Sequence, residues 1–468
     1  MRALFGAVDI GASSGRVIAG LVQDGTLKLA EVYRFENFPI KERDRLVWDF
    51  PRLISEVGHG LRELGARAEK LNLDVTSIGI DTWAVDFGLV ADGELLENPL
   101  CYRDPSHDVG VRSIHRKLSF EELYKVNGLQ FLPFNSIYQI ERIRLLNPGL
   151  LSQAQQLLMM PDLIGYFLTG QTAAELTNAS STGLVNASTR EWDQRLIDLL
   201  EIPFNLLPPL SDPGTEIGVL KPDFGPRLRS SKVVLVGSHD TASAVVGVPA
   251  LQEDFAFLSS GTWSLLGTEL KQPILTKKSR DANFTNEFGV DNTVRYLKNL
   301  SGLWLVSETL RDLQVQGARP NLKQLLADAA LLNPKARIDV SDPALIEPGD
   351  MVTKIRRQLS DGSQAESEEP AELIAIILHS LAESYAENLK ILEELVGRTF
   401  TTLHVVGGGS QNEVLNRLTA HYCQVEVVAG PVEATSIGNL LVQIRAAGLV
   451  PGSLMDLRAV IRESDLVN

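Results

Sequence analysis

Three short apolar stretches open the chain. Leu4 to Ile10, Arg16 to Val22 and Thr26 to Phe35 predict consecutive strands, joined by the GASSG turn and by Asp24-Gly25, a hairpin signal. Asp49 as a cap and Pro51 in the first turn predict a helix through LISEVGHGLRELGARAEK, followed by a strand at Ser77 to Ile80. DTWAVDFGLVADGELL then predicts a turn and a hairpin with Asp92-Gly93 at its tip, and helical segments fill much of Val109 to Leu168. The proline-rich passage Glu201 to Gly214 reads as a connecting loop. In the second half, Phe255 to Leu258 and Ser264 to Leu270 predict two strands around SSGTW. An acidic passage, DGSQAESEEP, precedes Ala371 to Val396, where Leu373, Ile377, Leu381, Tyr385, Leu389 and Leu392 recur near helical spacing. Gly397 ends that helix, and a strand at Leu403 to Val406, the GGGSQN turn, a helix through Asn416, a strand at Val425 to Val428 and a helix from about Glu433 follow. Each half repeats the order hairpin, helix, strand. The expectation is a duplicated α/β unit with a cleft between its copies, divided as residues 1–244 and 245–468.

Composition narrows the function. A chain of 468 residues exceeds one ordinary core, at about 150 residues per domain. Hydrophobic content of 44% is that of a globular protein, and no apolar run approaches the ~18 residues of a membrane span. Asp9 and turn residues stand where a signal peptide would need an apolar core, so a cytoplasmic location is expected. Cys101 and Cys423 are far apart and form no CxxC, and the seven histidines show no close pairing, which argues against disulfide and zinc frameworks. The net charge of −15 repels nucleic acid and leaves small-molecule ligands; the sequence does not determine the oligomeric state, and a monomer or small homo-oligomer is the expectation. The sequons at Asn178, Asn186 and Asn283 matter only in a secreted protein.

Candidate chemistry centres on VVLVGSHDTASAVVG, Val233 to Gly247, which sets His239 and Asp240 at a turn between small-residue segments. Asp240 reads equally as a reactive carboxylate or as the N-cap of a helix starting near Thr241. In DIGASSGR, Asp9 ends a strand, and Gly11 and Gly15 let the backbone turn its N–H groups towards phosphate oxygens; Asp9 is a candidate for holding magnesium through water. The same residues match GxSxG, but a nucleophile elbow leads from strand into helix, whereas RVIAGLV reads as a strand. LSSGTWS, with Thr262, and VVGGGSQN, with Gly408, are two further phosphate-style turns. Trp83 offers an aromatic face to a sugar, with Asp81, Asp86 and Asn299 available for hydroxyl hydrogen bonds.

With these blocks assembled, the chain resembles the FGGY carbohydrate kinases almost end to end: DIGASSGR, GIDTWAVDFG, GLQFLPFNSIYQ, MMPDLIGYFLTG, ELTNASSTGLVN, GSHDTASAV, LSSGTWSLLG, LKNLSGLWL and VVGGGSQN follow in family order. DTWAVDF and FLPFNS resemble the members acting on L-rhamnulose rather than xylulose, glycerol or fuculose. The resemblance implies an actin-like, ribonuclease H-like two-domain fold with an ATP cleft between duplicated lobes, and MgATP-dependent conversion of L-rhamnulose to its 1-phosphate. It implies that Ala12, Ser13, Ser14, Gly15 and Arg16 contact ATP, that Thr262 binds its phosphates, and that Gly408 lies at the nucleoside. His239, Asp240 and Thr241 would contact the ketose, with Asp240 as proton acceptor, and Asn299 would add a substrate contact. Two positions depart from the pattern: Ala84 replaces a glycine lining the sugar pocket, and Ser307 replaces a glutamine near the nucleotide. The alternatives are a kinase for another ketose and, from a different class, an actin-like or chaperone-like ATPase without a sugar substrate.

Overall fold

The opening runs form the strands their alternation predicts, β1 (Arg2–Ile10), β2 (Ser14–Gln23) and β3 (Thr26–Glu36), paired antiparallel in sequence order. These observations come from a computed structural model that describes residues 2–347, 349–362, 369–464 and 466. Helix α1 (Phe50–Leu71) starts where Asp49 accepts a hydrogen bond from the Arg52 amide and stops at Asn72 in the left-handed region. It returns the chain to β4 (Val75–Thr82), parallel to β1. With β5 (Glu216–Val219) and β6 (Lys232–Val234), the sheet runs β5-β6-β4-β1-β2-β3, and β6 is parallel to β4. Helix α2 (Asp240–Val246) follows, a turn beyond the end of β6.

A second sheet repeats this plan. β7 (Ala256–Ser260) pairs antiparallel with β8 (Trp263–Leu270), and β9 (Val294–Ser301) follows β8 in the sheet as β3 follows β2. Helix α3 (Pro370–Val396), ended by left-handed Gly397, leads to β10 (Thr402–Val406), which is parallel to β7 as β4 is to β1. Helix α4 (Glu413–Cys423) connects to β11 (Glu426–Ala429), parallel to β10. Helix α5 (Ala434–Ala446) comes next.

Two compact units result. One comprises Met1–Glu253, Glu269–Tyr296 and Glu433–Asn468; the other comprises Asp254–Thr268 and Leu297–Val432. In the first, period-2 alternation along β1 sorts the core into two layers. Leu4, Val8 and Ile10 pack with Leu53, Val57, Leu61 and Leu64 of α1, while Phe5 and Ala7 pack with Leu440, Leu441 and Ile444 of α5. Each such buried leucine contributes about 1.5–3 kcal/mol. Asp9 shares the parity of Phe5 and Ala7 and is therefore turned towards α5.

Two readings need refinement. The helical stretch 109–168 is interrupted by a strand, Gln156–Met159, which pairs with Phe87–Ala91 of the predicted hairpin. The proline-rich passage holds one helical turn, Phe204–Leu206, and a short strand, Leu210–Ser211. Of the acidic passage, residues 363–368 lie outside the described residues. No helix among the described residues is long and apolar enough to cross a membrane.

Candidate active site

In the first unit, β1, β4 and the segment after β6 end side by side. Asp9 and Asp81 are register partners on parallel strands, and the Thr82 amide donates to Ser238 O at 2.9 Å, which brings His239 and Asp240 to the same carboxyl edge. Carboxyl ends of parallel strands are where open α/β sheets bind ligands. The Asp9 carboxylate is buried, and its Oδ2 accepts from Arg16 Nε at 3.1 Å, Arg16 Nη2 at 2.9 Å and Ser436 Oγ at 2.6 Å. Arg16 also pairs with Glu433. Asp81 is fully buried; its Oδ2 accepts from Asn439 Nδ2 at 2.6 Å, and its Oδ1 has no hydrogen-bond partner. Burial pushes Asp81 well above the usual carboxylate range, Asp9 adds to the rise, and the Asn439 hydrogen bond opposes it.

Asp240 is the first residue of α2, with His239 at the N-cap position. It does not cap the helix in the ordinary way, because its Oδ1 accepts from the adjacent Thr241 amide at 2.7 Å rather than from an amide a turn ahead. Thr241 Oγ1 donates to the same Oδ1 at 3.2 Å, and His239 Nε2 lies 3.4 Å from it. Asp240 Oδ2 takes no hydrogen bond from the described residues, and 34% of the side chain is exposed. Despite that opening, burial raises the Asp240 pKa; His239 opposes the shift and Asp9 adds to it.

The loop carrying these residues is held from behind. Glu175, fully buried, accepts from Ser238 N at 3.2 Å, from Ser238 Oγ, and from Thr177 N at 2.8 Å. Thr177 Oγ1 in turn accepts from His239 N at 3.3 Å. Helix α5 packs on α2 backbone to backbone: a Cβ at Gly438 would lie 1.8 Å from Ser243 O, and one at Gly247 2.2 Å from Ala434 O.

The DTWAVDF turn departs from its expected role. Asp86 is not available for sugar hydroxyls, since Oδ2 accepts from Trp48 Nε1 at 2.7 Å, Trp83 Nε1 at 3.0 Å and Tyr102 N at 3.1 Å, and Oδ1 from Gln139 Nε2 at 2.8 Å. Asp81 likewise faces α5. The Trp83 ring is buried against Trp48, with centroids 4.3 Å apart. Val85 adopts φ +66°, costly for a β-branched residue, and is pinned by Ser181 Oγ on its N–H and by Ser136 Oγ on its C=O. This knot fixes the backbone of half-buried Ala84, whose carbonyl accepts from Asp86 N at 2.9 Å.

In the GASSG turn, Ala12, Ser13 and Ser14 are partly or fully exposed. Gly11 donates to Ser14 O at 2.9 Å, and Asn37 holds Gly11 O and Ser13 O. Neither Gly11 nor Gly15 has a positive φ. Gly15 is required for packing instead, because a Cβ there would lie 2.2 Å from the Phe35 ring. The turn leads into β2, a strand, which removes the hydrolase elbow.

Thr262, Asn299 and Gly408 belong to the second unit. There the turn at Thr262 is braced by the segment after β9: Leu303 N donates to Gly261 O at 2.9 Å and Trp304 N to Thr262 O at 3.2 Å. Asn299 lies on β9, three residues before Gly302, whose added Cβ would meet Thr262 O at 2.7 Å. Across β7 and β10, Ser259 and Val406 are register partners, so the turns at Thr262 and Gly408 adjoin. Gly407 adopts φ +83° and Gly409 packs on Ser260, whereas a Cβ on Gly408 would meet nothing within 4 Å. Gly408 therefore borders open space. Ser307 is exposed on the helix Trp304–Val315.

Sequence reasoning missed Glu175, Glu433, Ser436 and Asn439. Ser436 and Asn439 lie 427 and 358 positions from their aspartates, and nothing local to ATSIGNLL points to that pairing. Asp9 and Asp81 are hard-oxygen donors with an orphaned buried oxygen. No group of three or more metal-ligating side chains occurs among the described residues.

Strand-end carboxylates in one α/β unit and hydroxyl-glycine turns in its topological repeat define a class, the two-unit sugar kinases. Residues 4–247 match the model of the FGGY carbohydrate kinase N-terminal domain, and residues 256–447 match that of the C-terminal domain. The chain belongs to the FGGY family of carbohydrate kinases. It is 40% identical to a rhamnulokinase of Enterococcus faecalis, over 94% of this chain and 89% of that one. Identity to a rhamnulokinase of Bacillus subtilis is 37%, over 98% and 94%. In fold it is similar to a gluconate kinase of Lactobacillus acidophilus (TM-score 0.80, 18% identity, 98% and 92% covered). It is likewise similar to the Plasmodium falciparum glycerol kinase with ADP (TM-score 0.78, 16% identity, 98% and 92% covered).

Proposed function

We propose that this carbohydrate kinase transfers the γ-phosphoryl group of ATP to the 1-hydroxyl of L-rhamnulose, giving L-rhamnulose 1-phosphate and ADP. The observation that carries the substrate is the near full-length similarity to rhamnulokinases, at 37–40% identity. In the proposed reaction the sugar O1 attacks the γ-phosphorus, the O1–P bond forms, the bond to the β-phosphate bridging oxygen breaks, and the hydroxyl proton passes to Asp240 Oδ2. The unoccupied Oδ2 and the raised Asp240 pKa support this assignment, since a base works best with a pKa brought towards the working pH. His239 and Thr241, which converge on Asp240, orient its carboxylate and contact the ketose; the fixed backbone at Ala84 and the Asn299 side chain complete the sugar contacts. Ala12 to Arg16 and Thr262 bind the phosphates, and Gly408 admits the nucleoside. Asp9, with Asp81 beside it, would hold Mg2+ through water, and the ion would supply charge neutralisation at the phosphates. Arg16, now paired with Asp9 and Glu433, adds positive charge at the same place. In the domain division 1–244 and 245–468, the first part carries most of the proposed sugar contacts with the Ala12 to Arg16 phosphate turn, and the second carries Thr262, Gly408 and Asn299; a cytoplasmic enzyme fits this use of ATP. The test is a panel of L-rhamnulose, L-fuculose, D-xylulose and glycerol, with the product phosphate located by NMR. The highest kcat/KM with L-rhamnulose and phosphate on O1 is expected; preference for another ketose would reject the substrate and keep the kinase.

A further inference from the structure

Behind His239 lies a buried ion pair that no sequence motif singled out. Arg295, fully buried, and Glu287 approach each other at 3.1 Å between Nη2 and Oε2. Both also lie 3.1 Å from His239 Nδ1. Only the guanidinium is aligned for a hydrogen bond, since Glu287 Oε2 takes none. A guanidinium only donates and does not release its proton, so Nδ1 must present a lone pair to it. The Arg295 Nε donates to Phe288 O at 3.0 Å, which fixes the direction of the fork.

We infer that Arg295, seated on Glu287, is a positioning residue that holds His239 as the neutral Nε2–H tautomer. Nε2–H then points into the site, 3.4 Å from both Asp240 Oδ1 and Thr241 Oγ1. There His239 donates a hydrogen bond to the base or to a ketose hydroxyl; this last role rests on the function proposed above, whereas the tautomer does not. Glu287 compensates the guanidinium charge: burial pushes its carboxyl up, the Arg295 charge beside it opposes that, and the carboxyl stands lowered. Glu175 and Asp240 also act electrostatically on Arg295.

The test is NMR of 15N-histidine-labelled protein at neutral pH without substrate, with His239→Gln to assign the resonances. The wild type is expected to show His239 with an unprotonated Nδ1 and a protonated Nε2. Arg295→Met should release a tautomer mixture and lower kcat about tenfold with KM for ATP unchanged, and Arg295→Lys should restore part of both. A protonated Nδ1 in the wild type overturns the inference, whether or not the variants fold. So does a folded Arg295→Met that keeps the wild-type tautomer. Because the tautomer is read without turnover, a different sugar substrate would leave this result standing.

Discussion

Asp240 shows how one position meets two demands. Its Oδ1 is tied down by Thr241, which fixes the carboxylate, while Oδ2 stays available for a proton. Asp240→Asn keeps shape and removes basicity, so kcat should fall by about 10²–10⁴-fold with little change in KM, measured by steady-state kinetics on folded protein. Asp86 has the opposite character, a carboxylate consumed by its neighbours. Burial raises its pKa from 3.8 to about 6, against the opposing hydrogen bonds of Gln139, Trp48, Trp83 and Tyr102. A folded-state pKa above the unfolded value means that the folded chain holds the extra proton. This contribution is full below pH 3.8 and is lost as pH rises through about 6. Relative to the Asp86→Asn variant, the wild type should therefore lose stability between pH 4 and pH 7, by roughly 2–3 kcal/mol. Urea melts of both proteins across that range check it; a difference independent of pH would place the Asp86 pKa near its ordinary value.

Among the elements, the strands and their turns were legible because alternation and Asp-Gly, Gly-Ser and Pro signals are local. The central helix of the site was not. ATSIGNLL reads as an ordinary amphipathic start, yet Ser436 and Asn439 hold Asp9 and Asp81, and Gly438 permits the close approach of α2. Gly15 answers also to a neighbouring ring, Phe35, a constraint that nothing local to the turn announces. Trp83 and Asp86 misled because their partners, Trp48, Tyr102 and Gln139, come from separate segments. Gly438→Ala would press its methyl into Ser243 O, forcing apart helices that present the base. A loss of about 1–3 kcal/mol in stability, with reduced kcat, should appear in thermal melts and turnover. Glu175→Gln removes the acceptor that gathers Ser238 and Thr177, and should lower kcat about tenfold while leaving KM for ATP unchanged.

Across the whole molecule, the repeated hairpin-helix-strand order anticipated two sheets that share the order of five strands, because that order follows from local pattern; the sixth strand lies at opposite edges of the two sheets. The compact units follow packing rather than a single cut in the chain: α5 follows the second sheet in sequence but shares the core of the first. Catalysis in this account depends on both sugar and nucleotide, with Asp240 idle until a hydroxyl is present. The most direct test is ADP release from MgATP, with and without L-rhamnulose, together with the yield of sugar phosphate. Strong stimulation by the sugar, with sugar 1-phosphate equal to ADP, is the predicted result. Equal ADP release without any sugar, and no sugar phosphate, would contradict it and leave an ATPase.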